Sequence, residues 1–261
     1  MQALGFLADA SFASLAAFVA CVALATFAQN LTGFAFGLIL LGLTASFHVA
    51  SVADAANAAM VLTLVNAWVS FRAERSAPPW RLMRPTLLGS FVGVTVGVLL
   101  LGWLSGNAVA GLRGLLGLSI TACAVLLLLQ ARTREQLSGA SSFAGIGLLS
   151  GVLGGLFSSS GPPLVYHLYR QPLQRQEVRR ALLLVFACNA LLRLLLIVPS
   201  GQFSAHALLL AACAVPVVYG VTRLQIRFPL AVPATTLRRI VAALLLTSGL
   251  SLLWSAYRAV L

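Results

Sequence analysis

Charge is scarce in this chain. Only 8% of its 261 residues are charged and five are acidic; all 17 basic residues are arginine, with no lysine. A soluble domain of this length carries about a quarter of its residues charged, so an ordinary water-exposed surface is excluded. The four cysteines, Cys21, Cys123, Cys188 and Cys213, stand singly within apolar runs and lack CxxC spacing. That pattern removes zinc and dithiol chemistry and leaves them as small core residues. There is no HExxH, no His/Asp cluster and no Walker A motif, so no metal, nucleotide or other cofactor is expected. No basic residue precedes Arg72, so the opening apolar run lacks the n-region of a cleaved signal and reads as a retained first helix. Neither end carries a lipidation motif.

What is present is hydrocarbon. Hydrophobic residues make up 60% of the chain, the mean hydropathy is +1.00, and bilayer-length apolar runs recur from end to end. The class that follows is an all-α polytopic membrane protein with about eight transmembrane helices, plus short re-entrant or broken segments. Its solvent partner is membrane lipid. The net charge of +12 would suggest nucleic acid in a soluble protein. Here the arginines sit mostly between apolar runs, as a topology signal does, and no nucleic-acid motif accompanies them.

Apolar periodicity predicts helices over 11–28, 33–46, 55–72, 83–103, 110–131, 141–157, 162–169, 179–198, 205–222 and 236–257. Those starting at 33 and 162 are too short to cross alone, so each pairs with its predecessor as a broken helix or hairpin. Arginine placement then threads the chain. Loops around Arg72 to Arg84, Arg132 and Arg134, Arg170 to Arg180, and Arg223 to Arg227 should share the cytoplasmic side. The segment between 134 and 170 therefore enters and returns rather than crossing once. The same treatment puts the N-terminus and Ser46 to Ser51 outside. Two oppositely oriented repeats follow, 1–131 and 138–261, within a single membrane domain. A shift of 123 positions sets Asp54 on Glu177, Ala58 on Ala181, Asn66-Ala67 on Asn189-Ala190 and Gly97 on Gly220. A shift of 125 sets Leu112-Arg113 on Leu237-Arg238.

Each half holds one polar, helix-breaking step at membrane depth: Gln29-Asn30-Leu31-Thr32-Gly33, and Ser158-Ser159-Ser160-Gly161-Pro162-Pro163. Non-helical backbone survives there only when buried in protein or lining a hydrated cavity. Paired interruptions of this kind point to a transporter's binding site. A half-helix start offers unpaired N–H groups and a positive dipole end, which suit an anion. Gln29, Asn30, Thr32, Gly33, Ser158, Ser159, Ser160 and Gly161 are thus candidate substrate-binding residues. The alternative is a pair of structural kinks with self-satisfied hydroxyls.

Asn66 and Asn189 lie mid-helix and either line the pathway or join helices. Arg193, one turn beyond Asn189, either neutralises an anion or snorkels outward. Asp54 and Glu177 fall at helix N-termini, where capping is expected and proton coupling is the alternative. His167 is a candidate proton carrier or a structural hydrogen-bonder. Trp80, Trp103, Trp254 and Tyr257 fit interfacial anchoring.

The run Gly147-Leu148-Leu149-Ser150-Gly151-Val152-Leu153-Gly154-Gly155-Leu156-Phe157-Ser158-Ser159-Ser160-Gly161-Pro162-Pro163-Leu164-Val165 resembles the TauE/SafE sulfite exporter family: a Gly-rich helix, a small-residue break and a Pro-containing apolar segment. The resemblance continues through Arg180 to Arg193 and, more faintly, Gly33 to Arg72. Where the family shows a Gly-rich break, this chain carries Ser158-Ser159-Ser160 and Gln29 to Gly33, which adds hydroxyl and amide donors. The resemblance implies movement of a small sulfur anion, sulfite or an organosulfonate, across the bacterial inner membrane, by export. A homo-oligomer is compatible with it. Two other readings stand beside this one. A transporter of small carboxylates coupled to protons would use the same breaks. An intramembrane serine protease would pair Ser160 with His167, but residues seven apart on one helix lie about 10 Å apart, beyond hydrogen-bond reach. A structural subunit of a larger assembly would have no need of two breaks.

Overall fold

Backbone N–H and C=O groups find no partners in hydrocarbon, so a chain this apolar closes its hydrogen bonds within helices. The computed structural model describes residues 12–47, 49–74, 78–107, 109–128, 134–157, 161–228 and 234–258, and no strand occurs among them. They form α1 (Phe12–Thr32), α2 (Phe36–Ser46), α3 (Val52–Glu74), α4 (Trp80–Asn107), α5 (Val109–Leu128), α6 (Ala140–Phe157), α7 (Gly161–Tyr169), α8 (Arg175–Ile197), α9 (Ala205–Arg227) and α10 (Ala234–Arg258). Among the described residues, six helices, α1, α3, α4, α6, α8 and α9, are long and apolar enough to cross a membrane. The polytopic all-α class is therefore what the chain adopts.

Both short helices fold back. Beyond α6 and α7, the Arg134 N–H donates to the Arg170 carbonyl at 2.7 Å, and the Gln171 side chain brackets Ser138, accepting from its N–H at 2.9 Å. The α6–α7 pair thus enters and leaves at one end of the bundle. In the other pair, Asn30 near the end of α1 bonds Thr222 and Gln225 in the last turns of α9. The chain then returns through α2 to Asp54, which bonds residues at the start of α9. α2 is buried from Phe36 through Gly42 and forms the centre of the core.

The first interruption differs from its expected position. Gln29 to Thr32 remain helical, as the last turn of α1, and the non-helical step is Gly33 to Ala35. The reason is local. Thr32 Oγ1 donates to the Ala28 carbonyl at 2.7 Å and lies 2.9 Å from the Phe34 carbonyl, and the Gly33 N–H closes onto Gln29 at 2.6 Å. The polar residues satisfy the helix end, and Gly33 (φ 81°) and Ala35 (φ 79°) take the left-handed conformations that turn the chain. A side chain at Gly33 would also meet Arg179 Cγ at 3.1 Å.

Charged residues at helix starts act as caps. Ser51 Oγ accepts from the Asp54 N–H at 3.0 Å, and Glu177 with Gln174 forms a reciprocal capping box on α8. Asp54 does more: its carboxylate also accepts from Ser51 Oγ at 2.7 Å, from Ser204 Oγ, and faces His206 Nδ1 at 3.2 Å. This clasp joins the N-termini of α3 and α9. Replacing Asp54 by Ala is expected to lower stability by about 1–3 kcal/mol, because Ser204 and His206 lose their shared acceptor. A thermal melt in detergent checks this, and an unchanged midpoint would show that the clasp contributes nothing.

Candidate functional site

The cavity at the centre of the bundle is assembled from five helices and one turn. It is lined by Gln29, Ala35, Phe36, Gly37, Met60, Thr63, Gly154, Phe186, Asn189 and Ala190. Met60 and Thr63 lie midway along α3, and Phe186 to Ala190 midway along α8, so the cavity sits at half the depth of the bundle. Gly154, near the end of α6, gives the second hairpin a share of the wall.

The start of α2 faces this space. Ile39 is the first residue of α2 to bond backward, to the Ala35 carbonyl at 2.9 Å. The N–H groups of Phe36, Gly37 and Leu38 precede that bond, and the residue at the cap position, Ala35, has no side-chain group to accept from them. Three donors and the positive end of a helix dipole therefore collect beside the cavity. None of the described lining residues is acidic. Its polar side chains are neutral: Gln29, Thr63 and Asn189.

The residues expected to bind divide on inspection. Gln29 is 1% exposed, lines the cavity, and keeps a buried Oε1 without a hydrogen-bond partner among the described residues. Asn189 lines it too and accepts a hydrogen bond from Ser90 Oγ at 2.8 Å. Arg193, one turn further on, is buried at 1% exposure and does not snorkel outward. Asn30 turns away instead, its Nδ2 occupied by Thr222 at 3.1 Å and Gln225 at 2.7 Å. Thr32 and Gly33 build the turn described above; the Thr32 carbonyl accepts from Tyr169 Oη at 2.9 Å and so ties the two hairpins together. Asn66 is fully buried and accepts from Thr222 Oγ1 at 2.8 Å. Gly161 opens α7 and is buried. Ser158, Ser159 and Ser160 lie outside the described residues.

His167 stacks edge-on against Phe143, with centroids 4.8 Å apart, and lies 3.4 Å from the Gln171 amide, which is a packing role at the hairpin base.

Sequence reasoning missed Ala35, Phe36, Gly37, Met60, Thr63, Gly154, Phe186 and Ala190 as lining. Apolar residues within apolar runs give no sign of facing a cavity rather than lipid. Thr63 and Phe186 were within reach of an argument, being one turn from Asn66 and Asn189. Thr222 and Gln225 were hidden because they flank Arg223 and read as the edge of a charged loop.

Comparison with known proteins bears on the same span. The family model for the sulfite exporter TauE/SafE matches residues 18–252. A probable sulfite/organosulfonate exporter TauE from Cupriavidus necator is 36% identical over 234 residues, covering 90% of this chain and 91% of that one. A probable inner membrane transporter protein TsaS from Comamonas testosteroni is 29% identical over 198 residues, covering 75% of this chain and 80% of its own. No solved structure matches the chain.

Proposed function

The chain belongs to the sulfite exporter TauE/SafE family, a multi-pass inner-membrane transporter and not an enzyme, and from that premise we propose that its central cavity carries a small sulfur anion, sulfite or an organosulfonate, out of the cell. The observation that carries the reading is the meeting of the uncapped start of α2 with a lining whose described polar side chains are all neutral, one turn from a buried Arg193. Such a set replaces an anion's hydration without binding it as an ion pair, so release stays fast. Met60, Phe36 and Phe186 supply an apolar wall against which the carbon tail of a sulfonate rests. In this reading Gln29, Asn189 and the N–H groups of α2 hold the anion. Asn66 meets it in transit, and Ser158, Ser159, Ser160 and Gly161 stand as further binding residues from the polar step that leads from α6 into α7.

The reading also takes 1–131 and 138–261 as inverted repeats that alternate access around the cavity. It is supported by reciprocal pairings across the two halves. α3 runs parallel to α9 through Asp54–His206 and Asn66–Thr222, while α4 runs parallel to α8 through Ser90–Asn189 and the packing of Val94 and Val98 with Ile197. In the Asn66–Thr222 and Ser90–Asn189 pairs an Asn of one half meets a hydroxyl of the other.

With the cytoplasm negative, a departing monovalent anion gains about 2.3 kcal/mol per 100 mV, roughly a 50-fold gradient, so export needs no coupled ion. Proteoliposomes loaded with sulfite or ethanesulfonate should therefore show efflux that accelerates when the interior is made negative. Efflux indifferent to the imposed potential would sink the uncoupled mechanism. Thermal stabilisation of the purified protein by carboxylates but not by sulfur anions would sink the substrate class.

A further inference from the structure

We infer that Thr222 and Gln225 on α9 are specificity-determining residues: Gln225, through Asn30, orients the Thr222 hydroxyl, and Thr222 holds Asn66 as a hydrogen-bond donor toward the passing anion. The inference rests on the anion reading above and adds the residues that set its sign.

One group in this network has a fixed polarity. The Phe27 carbonyl only accepts, and Gln225 Nε2 donates to it at 3.3 Å. The Gln225 amide is thereby oriented with Oε1 toward α1, where it accepts from Asn30 Nδ2 at 2.7 Å. The same Nδ2 donates to Thr222 Oγ1 at 3.1 Å. A hydroxyl has one proton, and with Asn30 donating to it, Thr222 gives that proton to Asn66 Oδ1 at 2.8 Å. The acceptor of Asn66 is thus consumed. What remains is Nδ2, buried, with no hydrogen-bond partner among the described residues. Asn66 itself is fully buried, and Thr63, one turn earlier on α3, lines the cavity.

A buried amide N–H left unpaired is destabilising, and a purely structural Asn is not kept this way. The cost is offset when a ligand passes that accepts the bond. The direction of the chain matters as much as its existence. If Thr222 could not donate, the amide would be free to turn, and Asn66 would offer an anion a carbonyl oxygen, which repels it. The terminal polarity is therefore decided three residues away, at a backbone carbonyl that cannot change sign. Arg179 steadies the middle of the relay by donating from Nη1 to the Asn30 carbonyl at 3.1 Å.

The test uses the full-length chain in proteoliposomes, with sulfite and ethanesulfonate as probes. Thr222→Ser keeps the hydroxyl and should leave KM within about twofold of the wild type. Thr222→Val keeps the shape but removes the proton, and should raise KM for both anions about tenfold with a small change in maximal rate. Gln225→Leu breaks the relay at the half-exposed end of α9, where folding is least at stake, and should raise KM about threefold or more. It decides the matter should Thr222→Val fail to fold. Equal KM for the Ser and Val variants, or an unaltered KM in Gln225→Leu, overturns the relay while leaving the transport function standing. A wild-type protein that moves neither probe overturns the anion reading itself, whatever the variants do.

Discussion

Replacing Gly93 by Val should leave no stably folded protein, while Gly145→Ala and Gly220→Ala should be neutral or better. α4 and α6 run parallel in near-backbone contact. A Cβ at Gly93 would overlap the Leu148 carbonyl oxygen and come within 2.8 Å of the Val152 nitrogen. Gly89 and Gly97, one turn to either side, stand against the carbonyls of Ala144 and Val152; from the facing helix, Gly147, Gly151 and Gly155 stand against those of Thr86, Ser90 and Val94. The obstacles are backbone atoms, so no rotamer change relieves the clash and the helices must part along their length. In lipid this close approach is itself the source of association, because there is no hydrophobic effect to drive two apolar helices together.

Overpacking in well-packed interiors costs about 1–3 kcal/mol for added methylenes. A wedge that separates six interlocked glycines should exceed that range. Gly93→Ala, the smallest step, should already lower the melting midpoint in detergent, and Gly93→Val should abolish a monodisperse peak on size exclusion. At Gly145 and Gly220 nothing lies within 4 Å of an added Cβ, so only the helix propensity of alanine is felt there. If the Gly93 and Gly145 variants melted alike, the α4–α6 contact would carry no stability. The functional stake is the wall supplied by Gly154, three residues after Gly151 on the same helix.

How far these features could be read from the sequence depends on what each one contrasts with. The α6–α7 hairpin was legible because arginines on both sides of it had to share a face, and the pairing of Arg134 with Arg170 puts them there. Asn66 and Asn189 were legible because amides stand out in apolar helices. The first break was placed four residues early. Gln29 to Thr32 look like loop residues, yet a threonine bonding back to residue i−4 ends a helix without unwinding it. The glycines of α4 and α6 were visible as a composition, but which faces they present to one another is a tertiary fact. The Gln225–Asn30–Thr222–Asn66 relay was not legible at all, since its members lie nearly 200 residues apart in sequence at the extreme, 195 between Asn30 and Gln225, and no local period links them.

Arg193→Met should weaken anion transport about tenfold or more while the fold survives, and Arg193→Lys should keep most of the function. Arg193 is 1% exposed and lies one turn, about 6 Å along the axis, from Asn189 in the cavity wall. Taking about 10 Å between the guanidinium and a bound anion, and an effective dielectric of about 20, a unit charge contributes about 1.7 kcal/mol, close to 20-fold in affinity. Methionine matches much of the volume, so packing loss is small, although the groups that now meet the guanidinium lose a charged donor. The charge dependence separates a field effect from a structural one. A divalent anion feels twice the energy, so its loss in affinity should be the square of the loss for a monovalent one: about 20-fold for ethanesulfonate would become about 400-fold for a dianion of similar size, measured as competition against sulfite efflux. Lysine keeps the charge but not the planar fork, so a variant in which Lys fails as badly as Met would assign Arg193 to shape rather than field. Equal losses for mono- and dianions would lead to the same conclusion, and the start of α2 would then be the main source of positive potential in the cavity.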